Sequence, residues 1–118
     1  MSNPIVDKSF QLALRTIEFA EKVREGRQFE LASQIFRSGT SIGANVRESQ
    51  GSESKADFIH KLKIAFKESE ELDYWFSLCE QSNNLISPPL EAKALLIEVR
   101  KLLSSIILLQ RKISTLAN

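Results

Sequence analysis

With a single cysteine, Cys79, in 118 residues, the chain can build neither an internal disulfide nor a cysteine-based zinc site. That usage fits a reducing compartment, and on an apolar helix face the thiol reads as a small buried hydrophobe. Histidine is equally scarce: His60 is the only one, so the paired Glu-x-x-His motifs that hold two metals inside helical bundles are missing. No apolar segment approaches the roughly 20 residues needed to span a bilayer. The N-terminal "MSNPIVDKSF" has no basic stretch followed by an apolar run, so no signal peptide is expected. These absences predict a soluble, cytoplasmic protein with no membrane partner. An excess of one charge is also lacking. The 16 basic and 15 acidic side chains leave a formal net charge of +1, which provides no global field to steer the molecule toward nucleic acid or anionic lipid.

Four glycines and three prolines are too few for a loop-rich fold, and most of them fall where punctuation is expected. Asn3-Pro4 supplies a cap and a proline at the first helical position, and Gly26 suits a left-handed stop. A second segment runs from near Gln28 to Gln50, before Gly51. A third opens at "SKAD", which resembles a capping box begun by Ser54, and runs to Asn83-Asn84; a fourth opens at "SPP" with Ser87 as N-cap and Pro88 in the first turn. Helices are therefore expected over about 4–25, 28–50, 54–83 and 88–116 of a single domain, residues 1–118. No segment alternates with period two. Connections this short force neighbouring helices to run antiparallel, so the expected fold is all-α, an up-down-up-down four-helix bundle.

Apolar seams support that reading. In the first helix Val6, Phe10, Ala13, Ile17 and Ala20 repeat at steps of four and three. Phe58, Leu62, Ala65, Ser69, Leu72, Phe76 and Cys79 repeat at heptad spacing in the third, as do Leu95, Val99, Leu102, Ile106, Leu109, Ile113 and Leu116 in the fourth. The fourth helix has a second stripe, Leu96, Leu103 and Ile107, widened by Ile97 and Leu108. A bundle helix usually buries one face somewhat over 100° wide, so this breadth predicts either unusually deep burial or a subunit interface.

The stretch "RSGTSIGANVRE", Arg37 to Glu48, looks like a phosphate-wrapping loop, but its hydrophobic period does not break. Ala32, Ile35, Gly39, Ile42 and Val46 carry the three-four alternation through it. Each interior glycine costs about 1 kcal/mol against alanine in a helix, so something must offset Gly39 and Gly43. Four apart, they share one side of the helix and predict close approach by a neighbour. An anion-binding turn is the competing reading, although neither dinucleotide-type glycine spacing nor a Gly-Lys-Ser/Thr triplet is present. Ser38 and Ser41 can return their hydroxyls to carbonyls one turn back. Arg37, Asn45 and Glu48 lie off the seam and mark a place for a polar network.

In "DFIHKLKIAFKESEELDYW" Lys61, Lys63 and Lys67 precede Glu68, Glu70, Glu71 and Asp73. Pairs on shared faces, Asp57 with Lys61, Lys63 with Glu70 and Lys67 with Glu71, would make a solvated face worth a few tenths of a kcal/mol per pair. Alternatively, these charges meet complementary ones on an adjacent helix or another subunit. Glu68 and Glu71 share a face on which a divalent ion is conceivable, but no constellation recommends a metal, a cofactor, a small-molecule substrate or a catalytic residue. Trp75 closes the segment as a core or interface aromatic.

The stretch from Leu31 to Trp75 resembles a known family: the bacterial four-helix-bundle proteins first described from open reading frames in intervening sequences of 23S ribosomal RNA genes. The family pattern falls on Arg37, Ser38, Gly39, Ser41, Gly43, Asn45 and Glu48, and then on Asp57, Phe58, Lys61, Lys67, Glu68 and Trp75. The resemblance implies an antiparallel bundle assembled into a closed ring, commonly a homopentamer. A related branch, the accessory variability determinant of diversity-generating retroelements, implies an RNA-contacting basic surface beside a nucleic-acid enzyme. In this chain the one locally basic element is the fourth helix, with Lys93, Arg100, Lys101, Arg111 and Lys112 against Glu91 and Glu98.

The expected function is a non-enzymatic homo-oligomeric interaction protein, an accessory to RNA or to a nucleic-acid enzyme. The alternative is direct RNA or DNA binding through Arg100, Lys101, Arg111 and Lys112. A small hydrolase or metalloenzyme acting through Glu68 and Glu71 is the third reading.

Overall fold

Residues 3–117 are described by a computed structural model. Four helices follow in order: α1 (Pro4–Glu25), α2 (Phe29–Ser49), α3 (Lys55–Gln81) and α4 (Leu90–Ala117). Each packs on its chain neighbours, and α4 closes the arrangement against α1. The backbones of the diagonal pairs, α1 with α3 and α2 with α4, do not approach each other. The α1–α3 diagonal is filled by side chains: the rings of Phe19 and Phe76 meet edge to face at a centroid distance of 5.6 Å. The result is an elongated all-α four-helix bundle, 53 × 25 × 23 Å, without strands among the described residues.

The caps follow local chemistry, with three differences from the sequence expectation. Ser54 caps α3 as expected, its Oγ accepting from the Asp57 backbone N–H at 3.0 Å. Asn3 precedes Pro4 in extended geometry, but its amide donates to Gln50 Oε1 at 3.1 Å instead of capping α1. Gly26 does not supply the left-handed stop: its φ is −78°, and the positive φ of 68° falls on Arg27, the next residue. Ser87 and Pro88 do not open α4 either. Two successive prolines restrict the residue before each, so the helix begins at Leu90, with the Pro89 carbonyl accepting from the Lys93 N–H at 3.1 Å.

The α2 seam is buried as read, from Ala32 through Ile35, Gly39 and Ile42 to Val46, and so is the α3 seam from Leu62 to Cys79, with Phe58 half-buried. In α1 the register differs by one residue. The buried face is Ile5, Ser9, Leu12, Thr16, Phe19, Ala20 and Val23, so of the expected seam Ala20 is in the core while Phe10 is 49% exposed. Polar Ser9 and Thr16 occupy core positions because each hydroxyl is satisfied within its own helix, Thr16 on the Leu12 carbonyl at 2.7 Å and Ser9 on the Val6 carbonyl at 3.2 Å. In α4 the core takes Leu95, Leu96, Val99, Leu103 and Ile107. Beyond Ile107 the apolar positions emerge into solvent.

That emergence has a geometric cause. Lys8 pairs with Glu98 at 3.2 Å and Arg15 meets Glu91 at 3.8 Å, so α1 and α4 run antiparallel. Counting back one turn from Lys8, the start of α1 lies opposite about residue 102 of α4. The last three turns of α4 therefore have no α1 beside them.

Candidate functional site: a polar seam and two apolar grooves

The motif glycines set the spacing between α1 and α2. A Cβ on Gly39 would stand 2.6 Å from the Thr16 Cβ, and one on Gly43 would stand 3.3 Å from the Ser9 carbonyl oxygen. Only a residue without a side chain fits at Gly39, which offsets its cost to helix propensity. The stretch from Arg37 to Glu48 is helix throughout, so it forms no anion-binding turn.

Across α2 from the glycines, the motif builds a polar seam against α3. The Arg37 guanidinium donates to Glu71 Oε1 at 2.5 Å and lies 3.6 Å from Glu68 Oε2. Ser38 donates to the Gln34 carbonyl at 2.8 Å, and its Oγ accepts from Trp75 Nε1 at 3.2 Å. The same indole N–H lies 3.3 Å from Glu71 Oε1. Glu68 is only 8% exposed, and its Oε2 has no hydrogen-bond partner. Its carboxylate therefore depends on Arg37 for compensation. About two to three turns further along the same pair of helices, Lys61 reaches back to Glu48 at 3.2 Å.

These are pairings with an adjacent helix, the alternative that the sequence left open, and they replace the three pairs expected along α3. Lys61 goes to Glu48 and not Asp57, and Glu71 goes to Arg37 and not Lys67. Neither Lys67 nor Lys63 forms an ion pair among the described residues; both are exposed. Asn45 donates to the Ser41 carbonyl at 2.9 Å within its own helix and takes no part in the seam. No group of three or more potential metal ligands occurs among the described residues, and Glu68 and Glu71 face a guanidinium. His60 is exposed.

The basic residues of α4 are not equivalent. Arg100 lies 3.5 Å from Asp73 and stacks over the Phe66 ring at 5.4 Å. Lys101, Arg111 and Lys112 are exposed and form no ion pair among the described residues, and Lys63 from α3 meets Arg111 along one cleft.

Two grooves run along opposite sides of the bundle. Between α1 and α2, Val6, Phe10, Ala13, Thr40 and Ala44 line a cleft of about 210 Å³, with Arg47 over the Phe10 ring at 5.9 Å. Phe36, one turn before Thr40 and exposed, continues that stripe. Between α3 and α4, one cleft of about 230 Å³ has an apolar floor of Phe76, Leu96 and Ile97 edged by the charged Asp73, Glu80, Lys93, Arg100 and Lys101, and a second of about 210 Å³ joins Phe66, Ile107 and Leu108 with Lys63, Ser104 and Arg111. The α4 groove accords with the breadth of its apolar pattern. The α1–α2 groove is not legible in the sequence, because the hydrophobic spacing places Phe10 in the core. No described helix is long and apolar enough to cross a membrane.

Comparison with known proteins agrees with this architecture. No curated protein matches the chain. Among solved structures it is similar to a protein of unknown function from the S23 ribosomal protein family of Bacteroides thetaiotaomicron VPI-5482. The two share 41% identity with a TM-score of 0.77, over 87% of this chain and 97% of that one. A sequence model of the family described as 23S rRNA-intervening sequence protein matches residues 1–105, which takes in all of α1, α2 and α3, the Arg37–Trp75 seam and the first half of α4. With that match covering most of its length, the chain belongs to the 23S rRNA-intervening sequence protein family.

Proposed function

We propose that the protein is a non-enzymatic, homo-oligomeric interaction module whose bundles assemble side by side into a closed ring. The observation that carries this reading is the pair of unlike apolar grooves on opposite sides of the molecule, Phe10 and Phe36 on α1–α2 and Ile97 and Leu108 on α3–α4. Two different patches facing away from each other favour a heterologous contact, which closes into a ring when the rotation permits. Five subunits is the count that the family resemblance implies. Shallow grooves with apolar floors and charged edges support a binding role, as an accessory to RNA or to a nucleic-acid enzyme in the cytoplasm. Light scattering at micromolar concentration is the test. A stable 13.4 kDa monomer overturns the ring; an integral multiple of that mass, about five, supports it.

A second reading has its own observation. Lys63, Lys67, Lys101, Arg111 and Lys112 are exposed and unpaired with carboxylates among the described residues. Repeated around a ring, they would form a basic band able to neutralise phosphates. RNA binding that weakens with salt and with neutralisation of Lys101, Arg111 and Lys112 is expected, Arg100 being engaged by Asp73; absence of any gel shift at low salt removes this reading.

A further inference from the structure

The end of α4 is set apart by three observations. The family match stops at residue 105. Past that point α4 continues as helix to Ala117 without α1 beside it. The heptad seam nevertheless continues unbroken, and its residues change from buried to open. Leu95 and Val99 are in the core and Leu102 and Ile106 are half-buried, whereas Leu109 is 55%, Ile113 38% and Leu116 86% exposed.

The residue types along this seam are ordered. Leu95, Leu102, Leu109 and Leu116 stand seven apart, and Val99, Ile106 and Ile113 alternate with them. In heptad terms leucine fills every d position and a β-branched residue fills a from Val99 onward. That is the combination favouring two parallel strands, since β-branched side chains pack well at a and leucine at d in a dimer. A bundle core makes no such demand on residues that it does not cover. The flanking positions are Leu103, buried in the bundle's own core, and Ser105, Gln110 and Lys112, which carry one charge between them, so two copies of the seam side by side meet little repulsion.

We propose that the C-terminal half of α4, from Leu102 to Leu116, is a second self-association element, distinct from the ring contact, which pairs in parallel with the same segment of a second copy as a short two-stranded coiled coil. The exposed part of the stripe, Leu109 to Leu116, spans about one heptad, with Leu102 and Ile106 half-buried before it, and its burial falls below the ~1,200 Å² at the low end of standard interfaces. The pairing is therefore weak between isolated bundles, and because five tails cannot pair in twos within one ring, it joins tails of separate assemblies, whose several copies raise the effective concentration.

Cysteine cross-linking in the full chain tests this. Leu109→Cys and Leu116→Cys face their own copies in a parallel pair, whereas Arg111→Cys points away from the seam; Cys79 is buried and silent. Mild oxidation is expected to give disulfide-linked dimers at least about tenfold faster for the two leucine positions than for Arg111→Cys. Equal rates at all three positions, or no cross-linking at high protein concentration, overturn the proposal. Leu109→Glu with Ile113→Glu, placed in the Leu116→Cys chain, is expected to abolish cross-linking without lowering the melting temperature, because both residues are exposed; persistence of the cross-link overturns it. Phe10→Glu breaks the ring contact and is expected to leave tail cross-linking in place, so failure of the ring reading is distinguishable from failure of this one. In that background a trimer or larger species by sedimentation overturns the two-stranded count.

Discussion

Gly39 of α2 and Thr16 of α1 occupy a gap that admits one side chain: a Cβ on Gly39 would lie 2.6 Å from the Thr16 Cβ and nearer still to its methyl. In an isolated helix Gly39→Ala would gain about 1 kcal/mol from propensity. Here the clash with a packed β-branched residue outweighs that gain, and a net loss of about 1–3 kcal/mol is expected in thermal or urea unfolding. Thr16→Gly in the same chain opens the gap, so the double variant should be more stable than Gly39→Ala alone, as a double-mutant cycle would read. Additive losses would mean that the two residues are not in contact.

The Arg37 guanidinium is the counter-charge of a nearly buried carboxylate. Arg37→Ala leaves Glu68 uncompensated between α2 and α3, a loss of about 2 kcal/mol once the half-exposure of Arg37 is allowed for. Adding Glu68→Gln removes the buried charge and should recover much of that stability. Trp75, the one tryptophan, sits in this seam, so its fluorescence follows the unfolding directly. No recovery in the double variant would place the compensation of Glu68 elsewhere.

The Cys79 thiol is held above its ordinary titration range, first by burial and then by the neighbouring Glu80 carboxylate. Because the unfolded chain loses this proton before the folded one, stability declines as pH rises past the ordinary thiol range of about 8.5. The folded protein should also react slowly with a thiol reagent at pH 8 until denaturant is added. Cys79→Ala should flatten the alkaline decline; an unchanged slope would assign it to another group.

Opposite grooves give the ring contact a distinctive mixing behaviour. Phe10→Glu spoils one face and Ile97→Glu the other, so each variant alone should fail to assemble at micromolar concentration. Mixed together, each variant still offers the face that the other lacks, and a one-to-one complex of about 27 kDa is expected by light scattering. If the two variants do not combine, the grooves are not the two halves of a single contact.

How far the fold could be read varied from helix to helix. The seams of α2 and α3 were legible because their core positions are apolar or glycine and recur at one unambiguous period. In α1 two registers competed, and counting hydrophobes favoured the one that includes Phe10, since the true face spends two of its positions on Ser9 and Thr16. Those small residues belong there because the glycines of α2 draw the helices too close for anything larger. The signal was present, in the seven-residue spacing of Ile5, Leu12 and Phe19, but it needed the partner helix to give it meaning. Likewise the charges of α3 suggested pairs along their own helix, and Arg37 and Glu48 on α2 claimed them instead.

Local sequence was sufficient for what depends on the chain's own periodicity: four helices, the cap at Ser54, and the thin face at Gly39 and Gly43. Register between helices, the partner of each charge and the uncovered end of α4 were decided by tertiary packing. The physical reason is that side-chain burial depends on which neighbour stands opposite and at what distance. For Glu68 that neighbour lies on another helix, whereas the faces of Phe10 and Leu109 are left open by the described helices.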